Sequence, residues 1–267
     1  MRFNPEMIAS LNASYHLDIF KKSLQSYEDG LTYSKCLSCG MIYCPIEWPD
    51  VILSSVYQET IDHEQSRKKT QTVEKKLTMV REWEIILRLM AIHGQKSISD
   101  LKLVDYGCGW GDFLETVKGP GVEAVGFETD RIKAGHAMEK GLTLLGSVEA
   151  LKQRAPFDVF VMNAVIEHVQ NVRALLNLAV EVLKPGGMLV VSTMDFRPRF
   201  IQANLQSIMN NRKPLSMYLN PVEHVNVYDY TSVMKTLQKH SLEVLATRSV
   251  MEYANMPIPF LRKNRTS

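Results

Sequence analysis

Three glycines at alternate positions, Gly107, Gly109 and Gly111, separate an apolar run that ends in an acid, Leu101-Lys-Leu-Val-Asp105, from an amphipathic segment beginning at Phe113. Glycines let a strand turn sharply into a helix and let a ligand press against main-chain N–H groups. Dinucleotide sites use Gly-x-Gly-x-x-Gly, with the pyrophosphate on the helix N-terminus. Here the spacing is Gly-x-Gly-x-Gly, and Asp105 stands two residues ahead of it. A buried acid at that place repels a pyrophosphate and attracts a cation. S-adenosylmethionine carries an ammonium and a sulfonium, so the pattern favours it over NAD. Glu128, 17 positions after Gly111, ends the next apolar run and is placed to accept from ribose hydroxyls, a use that NAD sites share. The plain alternative is a tight strand–helix connection that holds no ligand.

The elements that must position these residues are legible from periodicity. Strands are predicted at 101–106, 122–127, 142–145, 157–163 and 187–193, and helices at 111–118, 130–140, 148–153 and 171–183. Lys184-Pro-Gly-Gly reads as a helix stop before the last of these strands. Continuous apolar strands alternating with amphipathic helices imply an α/β, doubly wound, mostly parallel Rossmann-like sheet covered on both faces. Upstream, Val73, Leu77, Val80, Trp83, Leu87 and Met90 predict one buried stripe of a helix over 72–93, stopped by Gly94. Residues 1–30 have helical spacing, and 195–222 read as irregular. A helix near 229–240 and a strand near 242–250 close the chain. The expected division is an N-terminal appendage, 1–71, and a ligand-binding domain, 72–267, with a lid over 195–226.

Composition bounds the function classes. The 267 residues are 45% hydrophobic and 22% charged, as in ordinary soluble proteins. No apolar run approaches the ~20 residues of a membrane span, and the N-terminus has no apolar signal core; a cytoplasmic protein without a membrane partner is expected. The net charge of +2 hides an uneven distribution: residues 1–99 carry 12 basic and 12 acidic side chains, 100–195 carry 9 and 13, and 196–267 carry 10 and 4. That excess is small for a nucleic-acid binder. The four cysteines do not make a disulfide framework. Cys36-x-x-Cys39 is half of a zinc set, which Cys44, His16 or His63 would have to complete. Zinc stays an open reading beside a turn with two small buried thiols.

Four motifs, Val104-Asp-Tyr-Gly-Cys-Gly-Trp-Gly, Gly126-Phe-Glu-Thr-Asp, Asn163-Ala-Val-Ile-Glu-His-Val and Leu183-Lys-Pro-Gly-Gly-Met-Leu, occur in that order. Over about 100–250 the chain resembles class I S-adenosylmethionine-dependent methyltransferases of the small-molecule branch, including quinone-biosynthesis O-methyltransferases. The resemblance implies a seven-stranded sheet with one reversed strand and S-adenosylmethionine as cofactor. It implies that Asp105, Gly107 and Gly109 hold the methionine end, with Cys108 and Trp110 between and beside them. It gives Glu128, followed by Thr129, to the ribose, Ser147 and Val148 to the adenine, and Asn163 to the methionine and acceptor. Some relatives in that branch have a metal-linked Glu-x-x-Glu-His; this chain has Ala164 in the first acidic position, and no metal ligand is assigned. The Cys-x-x-Cys-Gly segment also resembles a subset acting on nucleotide-linked sugars, in which a fuller zinc site precedes the transferase.

Asn163-Ala-Val-Ile lacks the prolines and aromatic of nucleic-acid amino-methyltransferases, which leaves a small-molecule acceptor and no nucleic acid. A hydroxyl or carbon acceptor needs a base, and His224 is the first candidate, with Glu223 beside it and His168 as a second. Each also reads as a packing histidine. Arg197, Arg199, Arg212 and Lys213 stand without an acid in 196–222. They suggest an anionic or carrier-linked acceptor, bound by Arg197, Arg199 and Tyr218; a solvated loop or a homodimer surface is the alternative. O-methylation leads. C-methylation of a nucleotide-linked sugar, and a non-catalytic donor-binding or NAD-dependent module, are the other readings.

Overall fold

The computed structural model describes residues 33–55, 62–93, 99–194, 222–240, 242–248 and 258–264. The expected helix in 1–30, Gly94, and the lid residues Arg197, Arg199, Arg212, Lys213 and Tyr218 lie outside them. In chain order the elements are β1 (Ser34–Lys35), β2 (Ile42–Tyr43), α1 (Asp50–Ser55), α2 (His63–Thr70), α3 (Val73–Ile92), β3 (Leu101–Tyr106), α4 (Asp112–Val117) and β4 (Val122–Phe127). There follow α5 (Arg131–Glu139), β5 (Thr143–Leu145), α6 (Val148–Arg154), β6 (Phe157–Asn163), α7 (Val172–Val182) and β7 (Leu183–Ser192). Last come β8 (Asn226–Val227), α8 (Tyr230–Leu237), β9 (Leu242–Arg248) and β10 (Ile258–Lys263).

The chain divides into two units. The first combines 1–61, 167–170 and 194–235; the second combines 62–166, 171–193 and 236–267. The sequence boundary at 71 falls between α2 and α3, both of which lie in the second unit, while the described end of the lid, 222–226, lies in the first. In the first unit β1, β2 and β8 form a small antiparallel sheet. The short segment 167–170 is tied to it by main chain: Asn226 N–H donates to Glu167 O at 3.0 Å, and Asn226 Nδ2 to Val169 O at 2.7 Å. Gln170 closes a reciprocal pair with the Trp48 backbone, accepting at 2.5 Å and donating at 2.8 Å.

The second unit holds a seven-stranded sheet in the order β5-β4-β3-β6-β7-β10-β9. Only β10 runs against its neighbours. This is the Rossmann-like sheet with one reversed strand that the motifs implied. The reversed strand itself was not predicted, because Pro259 near its start argues against a sheet interior. The expected strand 187–193 begins earlier, at Leu183: Lys184–Gly187 form an irregular entry across which the register with β6 shifts between Phe157 and Val159. Helix starts follow their caps. Asp62, Thr72, Asp130, Ser147 and Asn171 each accept from first-turn N–H groups with the side chain.

The predicted stripe of α3 is corrected. Val73, Leu77 and Val80 are 75%, 50% and 42% exposed. The buried series is Thr78, Glu82, Ile86 and Met90, at four-residue spacing. Ile86 and Met90 pack with Leu101, Leu103, Val159 and Val161, the residues that share one face of β3 and β6. Towards the ends of those strands the series turns polar.

Candidate functional site

The turn between β3 and α4 is built by backbone that only glycine adopts easily. Gly107, Gly109 and Gly111 have φ of +77°, +55° and +78°. A Cβ on Gly107 would come within 2.6 Å of Val165 Cγ2, and one on Gly111 would collide with Leu142 Cδ1, so both also serve close packing. A Cβ on Gly109 would meet nothing within 4 Å. Its face is open, and there a ligand can reach main chain. Glu128 braces the turn: Oε2 accepts from Gly109 N–H at 2.8 Å, and Oε1 from Asp130 N–H at 2.8 Å. Lys140 holds the far side, donating to Trp110 O and to the carboxylates of Asp112 and Glu115.

Three carboxylates converge here. Asp105, on β3, is 3% exposed; burial first, then the charges of Glu82 and Glu128, hold its carboxyl well above the usual range. Glu82, on α3, is 2% exposed, and burial pushes it up to about 7 against an opposing hydrogen bond from Asn163. Asn163 Nδ2 donates to both Glu82 oxygens, at 3.1 and 3.3 Å, and Ser192 Oγ donates to Asn163 Oδ1 at 2.7 Å. Among the described residues no lysine, arginine or histidine pairs with Glu82, Asp105 or Glu128. Buried acids without a cation are costly to ionise. A cationic ligand against the open glycine turn relieves that cost, and these residues fit the ammonium and sulfonium of S-adenosylmethionine.

The predicted residues sort by what they touch. Cys108 turns its thiol into the core, where Gly126 leaves room for it, and burial raises its pKa. Trp110 donates from Nε1 to Ser66 Oγ at 3.2 Å and meets His63 and His136 edge-on. His63 Nε2 in turn lies 3.0 Å from Asp130 Oδ2. The hydroxyl of Ser147 is engaged in capping α6 through Ala150 N–H; Val148 is half-buried and Thr129 exposed. Ala164, just past Asn163, has a φ of +52°. Glu82 was missed: the apolar pattern of α3 assigned the wrong face, and the four-residue series through Thr78 and Met90 was the signal that could have found it.

The histidine candidates lie in the first unit. His168 and His224 stack obliquely, with ring centroids 4.8 Å apart. His168 Nδ1 is 2.7 Å from Glu223 O. A carbonyl only accepts, so the Nδ1 proton is directed at it. Glu223 therefore orients His168 through main chain. His224 is buried, and its own carbonyl accepts from Tyr33 Oη at 3.0 Å. Among the described residues Cys36, Cys39 and Cys44 form no disulfide, and no three His, Cys, Asp or Glu side chains group so as to hold a metal.

A family model described as a methyltransferase domain matches residues 75–247, and the chain belongs to that family. Its fold and glycine turn are those of a class I S-adenosylmethionine-dependent methyltransferase domain. It is similar to the ubiquinone biosynthesis O-methyltransferase of Xylella fastidiosa (strain M23), 32% identical over 118 residues, 41% of this chain and 48% of that protein. The protein of the same description from Methylococcus capsulatus is 31% identical over 140 residues, 49% and 58% of the two chains. The chain thus spans about half the length of the curated relatives it matches. A solved structure of magnesium protoporphyrin IX methyltransferase from Synechocystis PCC 6803 shares the fold, with a TM-score of 0.57 at 13% identity over 81% of this chain and 100% of that one.

Proposed function

We propose that this protein transfers a methyl group from S-adenosylmethionine to a hydroxyl of a small, anionic or carrier-linked molecule. The observation that supports the donor half is the open Gly109 turn, with the buried acids Asp105 and Glu82, which no cation among the described residues pairs. When bound, S-adenosylmethionine supplies a methyl carbon made electrophilic by its sulfonium. The chain's own residues hold and align that donor, exclude water, and take the acceptor's proton. Asp105, Gly107 and Gly109 hold the methionine end; Glu128 with Thr129 serves the ribose; Ser147 and Val148 serve the adenine; Asn163 borders the methyl. Cys108 and Trp110 contribute main chain there, their side chains being engaged elsewhere.

Of the two histidines, His168 is the better base, because the Glu223 carbonyl orients its ring and it is only half-buried, whereas His224 is buried. His168→Gln is expected to lower kcat about 100-fold with donor affinity unchanged. An equal loss of donor affinity would show that the residue only supports the fold. Support for a hydroxyl acceptor comes from the O-methyltransferase relatives; support for an anionic one comes from Arg197 and Arg199, with Tyr218 near them in sequence. A methyl-transfer assay with polyhydroxylated phenols, prenylated and free, and with nucleotide sugars tests the reading. Turnover of a phenol supports it, and turnover of a nucleotide sugar alone replaces it with C-methylation.

A further inference from the structure

Helix α2 has no apolar face. Its sequence, His-Glu-Gln-Ser-Arg-Lys-Lys-Thr, holds no hydrophobic side chain, and none of its residues is buried. A surface helix is ordinarily held by an apolar stripe, and so short a helix does not sustain itself alone. The residues turned inward are His63, Ser66 and Thr70, half-buried at helical spacing. Thr70 donates within the helix, to Arg67 O; the other two reach out of it. His63 Nε2 lies 3.0 Å from Asp130 Oδ2, and a carboxylate accepts, so the Nε2 proton is directed at it. Ser66 Oγ accepts from Trp110 Nε1 at 3.2 Å, and the His63 ring meets the Trp110 ring edge-on. Both targets are buried, Trp110 at 6% and Asp130 at 1% exposure, and both flank the donor cradle. Trp110 stands between Gly109 and Gly111. Asp130 N–H donates to the same Glu128 carboxylate that holds Gly109 N–H. Asp130 uses Oδ1 to cap α5 and turns Oδ2 to His63, with Lys133 Nζ 3.6 Å from the same oxygen.

We propose that His63 and Ser66 are positioning residues of the donor site, docking α2 as a polar strap across the turn after β3 and the loop after β4. A helix attached by two hydrogen bonds and no apolar area undocks at small cost. The donor bears on the same two loops in the reading given above, on which this inference rests. Strap and donor therefore favour the same arrangement of the loops, and such coupling is reciprocal. A bound donor holds α2 down, and a docked α2 tightens donor binding without either side chain touching the donor.

The test joins two measurements on the full chain, amide hydrogen exchange over residues 63–70 and calorimetric titration, both with S-adenosylhomocysteine. Saturation with that ligand is expected to slow exchange in α2 about fivefold in the wild type. His63→Ala is expected to weaken binding about fivefold, and Ser66→Ala about threefold, with the slowing of exchange reduced in each. His63→Gln still presents a side-chain N–H to Asp130 and should bind within about twofold of the wild type. Thermal melts of the ligand-free variants should agree within about 2 °C, because α2 buries nothing. Exchange in α2 that ignores the ligand, alanine variants that bind as the wild type does, a glutamine variant as weak as the alanine one, or a larger fall in the ligand-free melts overturns the assignment. Failure of the wild type to bind S-adenosylhomocysteine or S-adenosylmethionine overturns instead the donor reading on which it stands.

Discussion

Gly109 and Gly126 differ in what a methyl group would meet. At Gly109 there is room but a positive φ, so Gly109→Ala should cost roughly 1–2 kcal/mol of stability and place a methyl on the open face. Thermal melts should shift by a few degrees, while calorimetry shows donor affinity falling more than about tenfold. At Gly126 an added Cβ would lie 2.6 Å from Cys108 Sγ and 2.8 Å from Leu114 Cδ1, so Gly126→Ala should act chiefly on stability. Glu82 adds a pH signature. Its folded value of about 7 lies above the ordinary 4.5, so below the ordinary value both folded and unfolded states are protonated and nothing is lost. As pH rises through that interval the unfolded chain gives up the proton first, and the fold is penalised by about 3 kcal/mol once pH passes 7. Glu82→Gln should therefore raise the Tm of the donor-free protein at pH 8 and leave it nearly unchanged at pH 4.5.

At the scale of elements, β3, β4 and β6 match their predicted limits residue for residue, because buried parallel strands are continuous apolar runs bounded by turn residues. Helix α3 shows where such reading fails. Counting apolar positions selected Val73, Leu77 and Val80, yet the buried face carries Thr78, whose hydroxyl bonds back to Glu74 O, and Glu82, which partners Asn163 at the end of β6. The phase is testable: Ile86→Ala should cost about 2–5 kcal/mol, whereas Leu77→Gln should change stability by less than about 0.5 kcal/mol, both measured by urea unfolding. Of the proposed donor cradle, Asp105, the glycines and Glu128 were legible because all lie on local motifs. Glu82 was not, because it reaches the cradle from a helix whose relation to the sheet is tertiary. The β1–β2 turn gave a spacing, Cys36-x-x-Cys39, that looks like half a metal site; ligands from elsewhere in the chain decide such a site, and spacing does not reveal them.

Across the whole molecule, acidic excess lies in 100–195 and basic excess in 196–267. Two acids of the first, Asp105 and Glu128, belong to the proposed cradle. The second would draw an anionic acceptor, and its contribution should weaken with salt. Arg197→Ala with Arg199→Ala is expected to raise the acceptor KM several-fold at low ionic strength and to flatten its salt dependence, with donor binding unaltered. The unchanged KM of such a variant would return those arginines to the role of a solvated or self-associating surface. No helix of the described residues is long and apolar enough to cross a membrane.

Glu128 holds Gly109 N–H with one oxygen and the Asp130 backbone with the other. A single rigid side chain thus joins the loop after β4 to the turn after β3. The two halves of the donor should consequently sense each other even when they are not covalently joined. Adenosine at saturation is expected to tighten the binding of free methionine about fivefold, and methionine to return the same factor to adenosine. Glu128→Ala should leave two fragments that bind as strangers.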